Sequence, residues 1–162
     1  KFALNLFDAG LAYHSEPFSE DTELTGWMRL VAYLSLDVPD TDLEVIVSEI
    51  TKEGQHIRLT GDEMRMRYRE GRHKEVFAEA GKIYRLEFDG FTFFSRLIAK
   101  GSRLRLVIKS PNSIFIIKNY NSGGKVEEES VKDARTAHIT LYHDTEHPSY
   151  LELPVVSNKA GS

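Results

Sequence analysis

At 162 residues the chain has room for one domain with a sizeable core and too little for two ordinary ones. Its formal net charge of −4 argues against a nucleic-acid partner, and the lack of any cysteine removes disulfides, thiol nucleophiles and cysteine-bound zinc together. No stretch of about eighteen apolar residues occurs, so no membrane-spanning segment is expected; the longest uninterrupted apolar piece is Ile114–Ile117. A chain without cysteine is in keeping with the cytoplasm, and a secreted parent is compatible with it too.

The chain opens on Lys1, with no charged, apolar and small-residue leader pattern behind it, and reads as a piece of something longer. Residues 1–12 are expected to be a linker or first strand, 13–156 the body of the domain and 157–162 a tail. From there the dominant period is two, the mark of strands with one buried face. Met28, Leu30, Ala32, Leu34 and Leu36 share a face, and so do Leu43, Val45 and Val47, with Ile46 and Ile50 opposite. Met64, Met66 and Tyr68 alternate with Arg65, Arg67 and Arg69. Tyr84, Leu86 and Phe88 follow, then Leu104, Leu106 and Ile108, then Ile139 and Leu141, then Leu151, Leu153 and Val155. Breaks rich in Gly, Pro or Asp separate these runs, as at Val38–Asp42, Glu79–Gly81 and Tyr120–Gly124. Only Lys74–Ala80 is expected to form a helical turn, and Lys125–Arg135 is expected to be an exposed loop. The pattern predicts an all-β sandwich or jelly roll of nine to ten short strands.

Several short motifs invite chemistry. His143, Asp144 and His147 offer three ligand types within five residues. The His pair would share a face only on a helix, however, and the strand-like residues before it and Pro148 after it deny one. No Glu follows the first His, and His138 and His143, five apart, would point to opposite faces of a strand. A turn is therefore expected there, and neither metal nor cofactor. A serine nucleophile elbow needs G-x-S-x-G, which the chain lacks; Ser102 and Ser122 sit beside glycines without the strand-to-helix setting. No phosphate-binding glycine loop occurs. The basic run Arg65–Lys74 puts three arginines on one strand face, where acids across the sheet, Glu49 among them, are expected to pair with them. Phe91, Phe93, Phe94 and Trp27 fit a core or an interface better than a sugar platform, although a carbohydrate- or ligand-binding module remains the alternative reading.

Six pieces occur in an order that resembles one family: His14–Gly26, Asp37–Ile50, Gly61–Glu70, Lys100–Ser110, Lys118–Gly124 and Tyr142–Val155. Together they look like the C-terminal domain of the X-Pro dipeptidyl-peptidase and cocaine-esterase (CocE/NonD) hydrolases. The resemblance implies a jelly-roll β-sandwich of galactose-binding-like type, appended to an α/β-hydrolase domain of the same polypeptide that holds the whole Ser-Asp-His triad. It implies a non-catalytic accessory role beside the active site, helping to shape access for acyl esters or amides; homo-oligomers are compatible with it. Two loops depart from the family pattern, Gly101-Ser102-Arg103 and Lys118-Asn119-Tyr120-Asn121. The matching polar residues Asp40, Asp42, Arg67, Arg69, Asn119, Asn121, Asp144, His147 and Ser149 are expected to fasten loops or to face the catalytic domain, and none is expected to be catalytic.

Overall fold

The structure is a computed structural model, and it describes residues 10–111 and 113–156. Among the described residues there are ten strands: β1 (Gly10–His14), β2 (Thr22–Gly26), β3 (Arg29–Leu36), β4 (Asp42–Ile50), β5 (His56–Arg65), β6 (Tyr84–Phe88), β7 (Phe94–Ile98), β8 (Arg103–Lys109), β9 (Ile139–Tyr142) and β10 (Tyr150–Glu152). The only helical pieces among the described residues are 3-10 turns at Met66–Tyr68 and Val131–Asp133, and no helix there is long and apolar enough to cross a membrane.

Every strand pairing is antiparallel. One sheet runs β1-β8-β4-β5. The facing sheet is built on β3, with β6 along one edge; β9 and β10 share the other, β10 pairing with Arg29–Val31 and β9 with Tyr33–Leu36. A two-stranded ribbon, β2-β7, closes one side and is tied to the last segment by the Leu24–Val155 bridge.

The two-residue period becomes the core directly. Leu30, Ala32, Leu34 and Leu36 of β3 meet Leu43, Val45 and Val47 of β4, with Leu86 and Phe88 of β6 and Leu104 and Ile108 of β8 in the same cluster. Alternate residues of facing sheets interdigitate in this way in a sandwich. The molecule is thus the expected all-β jelly-roll sandwich.

Three local expectations give way. The strand expected through Arg69 stops at Arg65, because Met66 N–H bonds to Thr41 O and Arg67 N–H to the Asp40 carboxylate, turning the backbone inward and burying Met66. Lys74–Ala80 is extended rather than helical: Val76 N–H reaches Arg67 O and Ala78 N–H reaches Pro39 O, so these donors serve neighbouring segments instead of a local turn. The last strand ends at Glu152; Pro154 interrupts it, and Val155 keeps a single bridge and is largely exposed. Of the expected end segments, Gly10–Ala12 belongs to β1, while 1–9 and 157–162 lie outside the described residues.

Candidate functional site

The connection from β3 to β4 carries Asp40 inward until none of its surface is exposed. A carboxylate in that position is costly unless paired and fully hydrogen-bonded. Arg67 supplies both needs: its backbone N–H donates to Oδ1 at 2.8 Å and its Nε to Oδ2 at 2.7 Å. Directly across the β4–β5 ladder from Asp42 stands Arg65, whose Nε and Nη2 donate to the two oxygens of Asp42 at 2.8 and 2.9 Å. This two-pronged pairing pushes the Arg65 pKa above its ordinary value. Asn119 Nδ2 lies between the carboxylates, donating to Asp40 Oδ2 at 2.6 Å and Asp42 Oδ1 at 3.0 Å.

From this knot the side chains reach outward to hold backbone. Arg65 Nη2 donates to Ile117 O at 3.1 Å, and Arg67 Nη2 to Gly124 O at 2.7 Å, with the Arg67 guanidinium 5.1 Å over the Phe77 ring. Asn119 Oδ1 accepts the Asn121 N–H at 2.8 Å, an Asx turn, and Asn121 Nδ2 donates to Arg135 O at 2.8 Å. Asn121 takes φ of 65°, a left-handed conformation that asparagine tolerates, and Gly123 takes 84° where a Cβ would lie 2.9 Å from Pro39. Glu129 closes the loop by accepting from Tyr120 and Gly124 N–H at 2.9 and 3.1 Å and from the Ser122 hydroxyl. Partial burial opposes its ionisation, yet the hydrogen bonds from Ser122, Tyr120 and Gly124 hold its pKa below the usual glutamate value.

The remaining candidates stand elsewhere. Arg69 donates to the carbonyls of Met66 and Val76 and stacks 4.5 Å over Tyr84, next to the corner but bonded to neither aspartate. Asp144 and His147 belong to the turn between β9 and β10. There Asp144 Oδ1 accepts the N–H groups of Glu146 and His147 at 2.9 and 2.8 Å, and His147 Nδ1 lies 3.2 Å away. The His147 N–H above all keeps the Asp144 pKa below the usual aspartate value. Ser149 fills the gap between the two short strands: its hydroxyl accepts Tyr33 N–H at 2.9 Å and donates to Tyr142 O at 2.5 Å. His143 has a different ring partner from His147, standing edge-on to Tyr13 at 6.4 Å, and it lines an apolar cavity of about 370 Å³ together with Leu30, Leu106, Leu141 and Leu151.

This arrangement is suited to holding loops. Each carboxylate in the corner is already engaged by an arginine or an amide, and no histidine enters it. Ser102 is fully buried and the Ser122 hydroxyl donates to Glu129, which is itself occupied by backbone N–H groups, so neither serine is placed on a histidine as in a Ser-His-Asp triad. Among the described residues no three His, Asp or Glu side chains converge as metal ligands would. Beside the corner lies an open cleft of about 710 Å³ with Arg65, Arg72, Asp62 and Glu63 on its walls and Ile116 at its edge.

The expected arginine face survives only at Arg65, because Arg67 and Arg69 lie beyond the end of β5, and the acid it meets is not the expected one. Glu49, fully buried, pairs with Arg96 of β7 at 2.8 Å, whereas the acids that meet Arg65 and Arg67 are Asp42 and Asp40. Arg65 was the missed member of the corner, and its signal was the register: an aspartate opening β4 opposite the arginine closing β5. Glu129 carried no signal at all within a run of glutamates.

Residues 5–152 match the family described as the X-Pro dipeptidyl-peptidase C-terminal non-catalytic domain. The chain belongs to that family. As such a domain it is 30% identical over 149 residues to cocaine esterase of Rhodococcus sp. (strain MB1 Bresler), a match that takes in 92% of the chain and 26% of the esterase. The X-Pro dipeptidyl-peptidase C-terminal domain thus spans about a quarter of the length of that curated relative. Its fold is shared with an aminopeptidase from a marine sediment Thaumarchaeota archaeon (TM-score 0.85, 18% identity, 91% of this chain and 26% of that one). It is shared too with an α-amino acid ester hydrolase (0.84, 21%, 96% and 27%) and with a CocE/NonD family hydrolase from Staphylococcus aureus (0.70, 20%, 91% and 30%).

Proposed function

We propose that the chain is the accessory C-terminal part of a serine hydrolase of the X-Pro dipeptidyl-peptidase or cocaine-esterase type. In this reading it packs on an α/β-hydrolase domain of the same polypeptide and forms part of the wall that controls substrate access. The observation that carries the reading is the match of residues 5–152 to a domain family described as non-catalytic. Two further features support it: the chain has no G-x-S-x-G elbow, and its densest cluster of ionisable groups is spent on fastening loops. Asp40, Asp42, Arg65, Arg67 and Asn119 act here as anchors, Asp144, His147 and Ser149 brace the last turn, and the acyl chemistry belongs to the partner domain. The names of the relatives suggest esters or amino-terminal peptide bonds as substrates.

The rival reading, an autonomous sugar-binding module, needs a flat aromatic platform. Trp27 is 65% exposed but stands edge-on to Phe93, the rings inclined at 69°, which presents a ridge.

The test is an assay of two proteins, the 162-residue chain and the full-length polypeptide that carries it, against p-nitrophenyl esters and an X-Pro p-nitroanilide. Turnover by the long form alone, lost on treatment with a serine-directed reagent, is the expected result. Hydrolysis by the short chain, abolished by one substitution inside it, overturns the proposal.

A further inference from the structure

The apolar run Ile114–Ile117 is not a strand and does not enter the core. Ile114 is 94% exposed, Phe115 90% and Ile117 63%, so three large apolar side chains stand in solvent on one short loop. Single exposed apolar residues need no explanation, but a cluster rimmed by charge marks an interaction surface. The base of the loop is gripped: Arg65 Nη2 holds Ile117 O, and Asn119, two residues on, is locked between Asp40 and Asp42. Anchoring this side of the loop before contact removes part of the ordering entropy that binding otherwise costs.

Resting on the reading above, we propose that this end of the sandwich is the surface that meets the catalytic domain. Ile114, Phe115 and Ile117 enter the partner, and the mixed-charge cleft of Arg72 and Glu63 forms the polar rim. Three observations select this occupant. The chain spans 26% of the esterase it matches, so a much larger body is expected in the same polypeptide. The surface combines an apolar tip with charges of both signs, the composition of contacts between domains of one chain. Among the described residues, β1 exposes Leu11 and Tyr13, and the β2-β7 ribbon with its flanks exposes Trp27, Phe93 and Leu97, but on the ribbon Glu23 lies opposite Leu97 and Thr25 opposite Ser95.

Lysines make the proposal testable. Lys118 adjoins the tip, whereas Lys52 follows the far end of β4 and Lys100 precedes β8, whose first residue Arg103 pairs with Ile50. The two ends of the sheet are about 30 Å apart, the length of β4. In the full-length polypeptide, a short amine cross-linker should join Lys118 to positions outside the domain and leave Lys52 and Lys100 unjoined. Phe115→Asp should raise the rate of proteolytic separation of the domain from the rest by about tenfold or more, while Leu97→Asp leaves it unchanged. Phe115 is too exposed for its replacement to unfold the domain, and the cross-linking arm needs no variant.

Several results overturn the proposal. Outward cross-links from Lys52 or Lys100 instead of Lys118, or a silent Phe115→Asp beside a sensitive Leu97→Asp, move the interface elsewhere. Lys118–Lys118 links between isotopically distinct copies assign the surface to self-association. If acyl hydrolysis by the polypeptide is intact while these results appear, only the surface is wrong; if the polypeptide has no acyl hydrolysis, the accessory reading fails as well.

Discussion

Two parts of the molecule hold irregular chain with aspartates, and they do it under opposite conditions. At the corner, Asp40 is buried against Arg67, which holds Gly124 O, and the neighbouring Arg65, paired with Asp42, holds Ile117 O. In the turn between β9 and β10, Asp144 is exposed and bonds only to the N–H groups and ring of its near neighbours. The geometry of the hydrogen bonds is similar, but the cost of losing them is not. Removing one member of a buried ion pair leaves the other charged and desolvated, whereas water replaces a lost bond at an exposed turn.

The sharpest way to break the comparison is at Asp40. Asp40→Ala strands Arg67 and should destabilise the chain by about 3–5 kcal/mol, read as a lower denaturant midpoint with little change in slope. An effect no larger than that of an exposed substitution would mean that the corner is solvated and the contrast is false. Ser149→Ala comes next, since it deprives a half-buried Tyr33 N–H of its acceptor; a loss of about 1 kcal/mol is expected. Should it match Asp40→Ala, the β9–β10 junction would be as structural as the corner.

Asp144 probes the exposed side through pH. Its pKa is lowered in the folded chain, so the stability it gives is present above the ordinary aspartate value of about 3.9 and is lost as pH falls through the lower folded value. Amide NMR shifts of Glu146 and His147 should titrate together with a midpoint below the ordinary value. A midpoint at or above it would remove Asp144 from its bracing role. The smallest effect is expected at the tip: Phe115→Ser should change the stability of the 162-residue chain by no more than about 0.5 kcal/mol. A clear loss would show that the tip packs on the domain itself.

The fold was legible because its signal is local. Alternation in β3, β4, β6 and β8 assigned the buried faces residue by residue, and the same residues fill the core. Where the sequence misled, tertiary bonds had overridden a local pattern. Met66 and Tyr68 keep the strand period, yet Asp40 and Thr41 pull that backbone into a turn. Lys74–Ala80 has helix-forming residues, but its donors are spent on Pro39 and Arg67, and neither partner is visible from within the segment. The corner divides the same way. The family resemblance named Asp40, Asp42, Arg67 and Asn119 among nine polar residues, whereas the pairing of Arg65 with Asp42 follows from strand register, a long-range property. The apolar run at Ile114–Ile117 was plain in the sequence, but its exposure depends on how Arg65 and Asn119 pin its base.

The divided edge of β3 has a consequence for how this domain can vary. Because β9 and β10 dock on separate parts of β3, each has its own alignment there, and Ser149 stitches the seam beside the His147 ring, which packs on Tyr33 and Tyr142. Extra residues grafted at Thr145 would give up the exposed Asp144 bonds to Glu146 and His147, while the added closure cost grows only with the logarithm of the excursion's size and the pairings of β9 and β10 with β3 are left untouched. That seam is a place where new peptide can be spliced into the shell without moving its strands.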